Sequence, residues 1–131
     1  MKWIFCFRET ENIGLWRLFT FHRPQFGHVY CVRYEPSIES WIFAECSSKK
    51  INFDILRGEE ADLLVHDMIN ECICVECEQV DNEVIQAPRW LYCTSFANHI
   101  AGLKSFFIFT PYQLYCELIK RGGRVIFENT E

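Results

Sequence analysis

Cysteine and histidine are the side chains of this chain best suited to chemistry, and the 131 residues include eight of the first and four of the second. A cysteine attacks as the thiolate, a form that is favoured at a helix N-terminus and beside an imidazolium. Cys93 stands in the first turn of a predicted helix, and His28 begins a predicted strand that would pack across it. This pair predicts a nucleophilic cysteine with a histidine as its base.

The remaining histidines suit that role less well. His99 follows Cys93 by about 600° of helical rotation, at roughly 100° per residue, so it points away from the thiol. His22 lies in a turn region, and His66 lies on the polar face of another predicted helix.

A catalytic histidine also needs a group that orients its second ring nitrogen. Glu45, on the strand after the one that His28 begins, is the most suitable acid, and Ser47 is the alternative because the hairpin register cannot be read to one residue. Each candidate has a plain structural interpretation as well. Cys93 would then be a core thiol, His28 a strand-end histidine bonded to a carbonyl, and Glu45 a solvated charge.

The other cysteines are predicted to be reduced and mostly buried, because they lie in apolar runs and no signal peptide precedes them. Cys72, Cys74 and Cys77 lack a second pair of ligands at zinc-site spacing. Strand alternation would also place Cys77 on the opposite face from the other two. We therefore expect neither a metal nor a cofactor.

The elements that must position these side chains follow from turn residues and apolar spacing. Strands are predicted over 16–21, 28–34, 41–45, 51–56, 72–77 and 124–128, and helices over 59–69, 91–103 and from Thr110. Thr110, Pro111 and Gln113 form a capping box with proline at the first helical position. The sequence thus predicts a single α+β domain over residues 1–131, in which an antiparallel meander packs against the helix that carries Cys93.

Composition excludes several classes of partner. The formal net charge is −5 and no basic stripe is present, so nucleic acid is not an expected ligand. No apolar run approaches the roughly 20 residues of a membrane span. Aromatic residues cluster near the N-terminus and in one later loop (Trp3, Phe5, Phe7, Phe106, Phe107 and Phe109), which fits either a core or a docking surface.

Three segments resemble circularly permuted members of the papain-like, NlpC-type superfamily of cysteine amidases and peptidases, which includes phage-encoded proteins and relatives of lecithin retinol acyltransferase. They are Phe26-Gly27-His28-Val29, Tyr92-Cys93-Thr94-Ser95-Phe96 and Thr110-Pro111-Tyr112-Gln113-Leu114-Tyr115, within a resemblance that spans about 16–120. The last segment resembles one found in small phage-encoded homologues. Where the superfamily usually has a histidine or another polar group as third residue, Glu45 matches only approximately.

The resemblance implies thiol acyl transfer by Cys93, His28 and Glu45 on an amide or ester carbonyl, with peptidoglycan peptides as the substrate in a phage. It also implies a cytoplasmic or virion-associated protein. The alternative is a non-catalytic structural or adaptor protein of a virion that retains a papain-like fold. That alternative predicts that the N-terminal aromatic segment and the loop 105–109 are buried against other virion proteins.

Overall fold

A six-stranded antiparallel sheet forms the centre of the fold in a computed structural model that describes residues 1–9, 24–47, 50–80, 92–103 and 108–128. The strands are β1 (Lys2–Arg8), β2 (His28–Glu35), β3 (Ser40–Cys46), β4 (Ile51–Arg57), β5 (Ile73–Glu78) and β6 (Arg124–Phe127), and the helices are α1 (Gly58–Asn70), α2 (Cys93–Ala101) and α3 (Pro111–Lys120). Single 3-10 turns cover Pro24–Phe26 and Pro36–Ile38. The predicted α+β class is confirmed.

Strand order in the sheet is β4-β3-β2-β1-β5-β6, and every neighbouring pair is antiparallel. The predicted meander is confirmed for β2, β3 and β4, which pair in sequence order. The predicted strand at 16–21 lies outside the described residues.

Strand β1 was not predicted from the sequence, although it pairs with both β2 and β5 inside the sheet. Its residues are apolar on both faces because both faces are covered, and such a run lacks the alternation that marks a half-buried strand. Phe5 and Phe7 lie in the core on one side of the sheet, and Cys6 lies in the core on the other.

The two faces of the sheet carry different helices. Met68 and Ile69 of α1 pack beside Tyr30 and Val32 on one face. On the opposite face, α2 and α3 contribute the buried side chains Cys93, Phe96, Leu114 and Leu118 to the larger core. No helix in the described part of the chain is both long and apolar enough to cross a bilayer.

The start of α3 confirms the predicted capping box. The Thr110 hydroxyl accepts from the Gln113 N–H at 3.2 Å, and the Gln113 side-chain oxygen accepts from the Thr110 N–H at 3.1 Å. Pro111 occupies the first turn and is buried. These contacts fix the entry of α3, whose Leu114 and Leu118 are fully buried against the sheet.

Candidate active site

Cys93 is the first residue of α2, in the first turn as the sequence predicts. Tyr92 precedes the helix in an extended conformation, and the Ser95 hydroxyl accepts from the Tyr92 N–H at 3.0 Å and donates to the Tyr92 carbonyl at 3.1 Å. The first N–H groups of a helix have no acceptor within it, so the Cys93 N–H points out of the helix start. The Cys93 residue is 6% exposed.

His28 is the first residue of β2, and its side chain is 13% exposed. Its Nε2 lies 2.7 Å from Glu45 Oε1, which leaves Nδ1 as the ring nitrogen available to the Cys93 thiol. Burial of the ring lowers the pKa of His28. The hydrogen-bonding and charge interactions with Cys93 and Glu45 outweigh this effect and raise the pKa from 6.5 to about 9. The imidazole is therefore protonated at neutral pH.

Glu45 reaches His28 from β3, the neighbouring strand. Cys31 of β2 lies opposite Ala44 of β3, and this register brings the Glu45 carboxylate close to the beginning of β2. The hydrogen bond from His28 is the largest of the effects that hold the pKa of Glu45 below its ordinary value, aided by the charges of His28 and Arg8 and opposed by burial. The carboxylate therefore stays ionised and faces the imidazolium.

Arg8 is a member of this cluster that the sequence analysis missed. It ends β1 opposite His28, its guanidinium lies 4.0 Å from Glu45 Oε1, and it also stacks over the Tyr30 ring at 5.7 Å. Arg8 could not be predicted at the site because β1 was not predicted, and only the pairing of β1 with β2 places Arg8 beside His28.

The other candidates for base and orienting group lie elsewhere or have different partners. The Ser47 hydroxyl donates to the Lys50 carbonyl at 3.1 Å and so closes the β3–β4 turn. His66 is exposed and lies 2.9 Å from the Asn70 amide, and His99 lies in the last turn of α2, at the opposite end from Cys93. His22 lies outside the described residues.

Seven of the eight cysteines are buried and Cys116 is exposed, with all eight as free thiols. Cys31 and Cys46 lie near Cys93, and burial together with the charge of Cys93 raises the pKa of both. Cys6, Cys72 and Cys74 form a separate cluster on the α1 side of the sheet, while Cys77 faces the α2 side. No group of side chains in the described ranges has the arrangement of a metal site.

The structure thus brings Cys93, His28 and Glu45 together: the His28 ring is hydrogen-bonded to Glu45, and it is close enough to Cys93 for the two to affect each other's charge. A nucleophile next to a base that a third group orients is the arrangement that covalent acyl-transfer catalysis requires. No protein-family model matches the chain, and neither curated proteins nor solved structures give a significant match. The function must therefore be inferred from the geometry of these three residues.

Proposed function

We propose that the protein is a cysteine-dependent amidase or peptidase that works by thiol acyl transfer. The observation that carries the proposal is the His28 imidazole, which is hydrogen-bonded to Glu45 at 2.7 Å and interacts with the Cys93 thiol. An imidazolium beside a cysteine at a helix N-terminus favours the thiolate, which is the nucleophilic form. The mostly buried surroundings of the pair strengthen this electrostatic effect.

In the first half of the reaction, Cys93 Sγ attacks the carbonyl carbon of the substrate and forms a C–S bond. The His28 imidazolium gives its proton to the leaving amine, the C–N bond breaks, and the acyl group remains as a thioester. In the second half, His28 takes a proton from water, the resulting hydroxide attacks the thioester, and the C–S bond breaks. The acid leaves, and the thiolate and imidazolium are restored.

The negative oxygen formed in both halves needs hydrogen-bond donors. The N–H of Cys93 belongs to the first turn of α2, where backbone N–H groups lack intrahelical acceptors and the helix dipole favours negative charge. This N–H is our candidate for one donor of the oxyanion hole.

Family membership is part of the proposal. A histidine that begins a strand, an acid on the next strand and a cysteine that opens a later helix agree in order with the permuted papain-like, NlpC-type superfamily. A phage-encoded member would act on peptidoglycan peptides, in the cytoplasm or as part of a virion. The sheet that carries the histidine and the helix that carries the cysteine support this family.

The structural or adaptor alternative loses part of the surface that it requires. Trp3, Phe5 and Phe7 are buried in the protein's own core, at 9%, 1% and 0% exposure, so the N-terminal segment is not available for docking. Phe106 and Phe107 lie outside the described residues, and Phe109 is 55% exposed. No described contact favours the adaptor over the enzyme.

The direct test is to trap the acyl-enzyme with 4-nitrophenyl acetate and locate the acetyl group by peptide mass spectrometry. Cys116→Ser serves as the parent protein, because Cys116 is the exposed thiol and would otherwise be acetylated. We expect a burst of nitrophenol and one acetyl group on Cys93, with both lost in Cys93→Ala. Slow acetylation spread over several thiols, or a burst that survives Cys93→Ala, would contradict the proposal.

A further inference from the structure

An exposed apolar stripe lies on β4, on the same side of the sheet as α2. Ile51, Phe53 and Ile55 are 42%, 64% and 58% exposed. They alternate with Asn52 and Asp54, so all three point to one face. Three large apolar side chains exposed in a row are unusual on a soluble surface and often mark a binding site.

The stripe continues the core face that carries Cys93. Ile51, Phe53 and Ile55 lie opposite Cys46, Ala44 and Ile42 of β3, and those three residues belong to, or pack against, the core beneath α2 and α3. The apolar surface is therefore unbroken from the covered core to the open stripe.

Two contacts connect the stripe to the candidate site. The Phe53 ring lies 5.8 Å from the ring of Phe96 on α2, in an edge-to-face arrangement. Ile51 is the direct neighbour of Cys46, and Cys46 lies in the same buried core as Cys93 and Phe96. A group bound on Ile51 and Phe53 would consequently lie beside the nucleophile.

The shape of the surface indicates what it binds. The stripe is short and open, which suits one or two bulky side chains of a peptide lying across it, whereas a long lipid chain needs an enclosed channel to be removed from water. A cavity of about 260 Å³ is lined by Cys77, Val80, Ala101 and Leu103, so it lies at the far end of α2 from Cys93. It is not placed to hold an acyl chain attached at Cys93.

We propose that Ile51, Phe53 and Ile55 bind a bulky apolar side chain next to the scissile carbonyl, so that the substrates are peptides with an aromatic or large aliphatic residue on the acyl side. This inference rests on the proposed acyl-transfer function, and it favours apolar peptides over the polar peptides of peptidoglycan as the substrate. Partial burial of one such side chain on this open stripe is expected to raise kcat/KM by roughly tenfold. Short polar cross-links would gain nothing from this surface.

The test compares matched peptide anilides that differ only in the residue before the scissile bond: phenylalanine, leucine, alanine or glutamate. With the Cys116→Ser protein, we expect kcat/KM for the first two to exceed that for alanine by about tenfold or more. Phe53→Ala should remove most of that advantage, so that the ratio of kcat/KM for phenylalanine to that for alanine falls toward one. Asp54→Ala, on the other face of the same strand, is the matched control and should leave this ratio unchanged.

Measuring acylation and alkylation of Cys93 in the same proteins distinguishes failure of the proposed binding surface from failure of the proposed acyl-transfer function. If Cys93 acylates equally with all four peptides, the stripe is not the binding surface, but the acyl-transfer function stands. If a long-chain fatty thioester acylates Cys93 faster than every peptide does, the stripe binds a lipid chain and the peptide proposal is wrong. If Cys93 acylates with no substrate, the proposed function fails and this inference fails with it. Asp54→Ala should leave the rate of Cys93 alkylation unchanged, which shows that a substitution in β4 does not by itself disturb the site.

Discussion

His28 is the residue through which Cys93 and Glu45 act on each other. Its ring is hydrogen-bonded to Glu45 and interacts with Cys93, and it is buried enough that solvent screens neither interaction strongly. A protonated imidazole between a sulfur and a carboxylate is stable only while both neighbours favour its charge. The protonation of His28 therefore reports on the whole site.

This arrangement makes the stability of the fold depend on pH in a defined window. The pKa of His28 is about 9 in the folded protein against 6.5 for the free side chain. Because the folded value is the higher one, the stabilisation is fully present below pH 6.5 and is lost as the pH rises through about 9. The shift corresponds to at most about 3 kcal/mol.

We therefore predict that the stability advantage of the native chain over His28→Gln shrinks steadily over that pH window, as measured by urea unfolding at a series of pH values. His66→Gln removes an exposed histidine and is the matched control, for which no such pH dependence is expected. Parallel stability curves for the native chain and His28→Gln would show that His28 is not held in its charged form.

The sequence predicted the position of a site residue where that residue lies next to a recognisable end of a helix or strand. Cys93 follows a helix start and His28 a turn, so the two could be placed without coordinates. Glu45 was preferred as the acid, but Ser47 stayed open as the alternative because the choice depends on the pairing of β2 with β3 to one residue. Arg8 could not be found at all, because its strand shows no alternation.

At the scale of elements, the position of Cys93 depends on how α2 is anchored at its far end. Gly102 ends this helix with φ of 76°, and its N–H bonds the His99 carbonyl at 3.1 Å. A Cβ at this glycine would lie 2.1 Å from the Val80 carbonyl oxygen, which is backbone and cannot swing away. The C-terminal end of α2 is thus packed directly against the chain that follows β5.

Gly102→Ala is therefore expected to be strongly destabilising. The left-handed conformation alone costs a non-glycine residue about 1–2 kcal/mol, and the clash with Val80 adds to that cost. Gly122→Ala is the matched control, because Gly122 also has a positive φ, of 90°, but nothing lies within 4 Å of its added Cβ. Chemical denaturation should show a clearly larger loss for Gly102→Ala, and equal losses would contradict the close packing of α2.

Elements with strong local signals were predicted well. The capping box of α3 and the alternation in β4 are local patterns, and both were read correctly. The order of strands in the sheet was not readable, because β1 enters between β2 and β5 through contacts far apart in sequence.

At the scale of the whole molecule, the sheet separates two thiol environments. Cys93 lies on the face covered by α2 and α3, while Cys6, Cys72 and Cys74 are enclosed beneath α1. The imidazole of His28 interacts with Cys93, and the fold as a whole is needed to bring residues 28, 45 and 93 together. Any special reactivity of Cys93 must therefore disappear when the chain unfolds.

The most direct measurement is the rate of Cys93 alkylation by iodoacetamide at neutral pH, followed by peptide mass spectrometry in the Cys116→Ser protein. We predict that Cys93 is alkylated well ahead of the six other buried thiols, that His28→Ala slows it by about tenfold or more, and that urea reduces it to the rate of its neighbours. Uniform slow labelling of all thiols in the folded protein, unchanged by His28→Ala, would contradict the account.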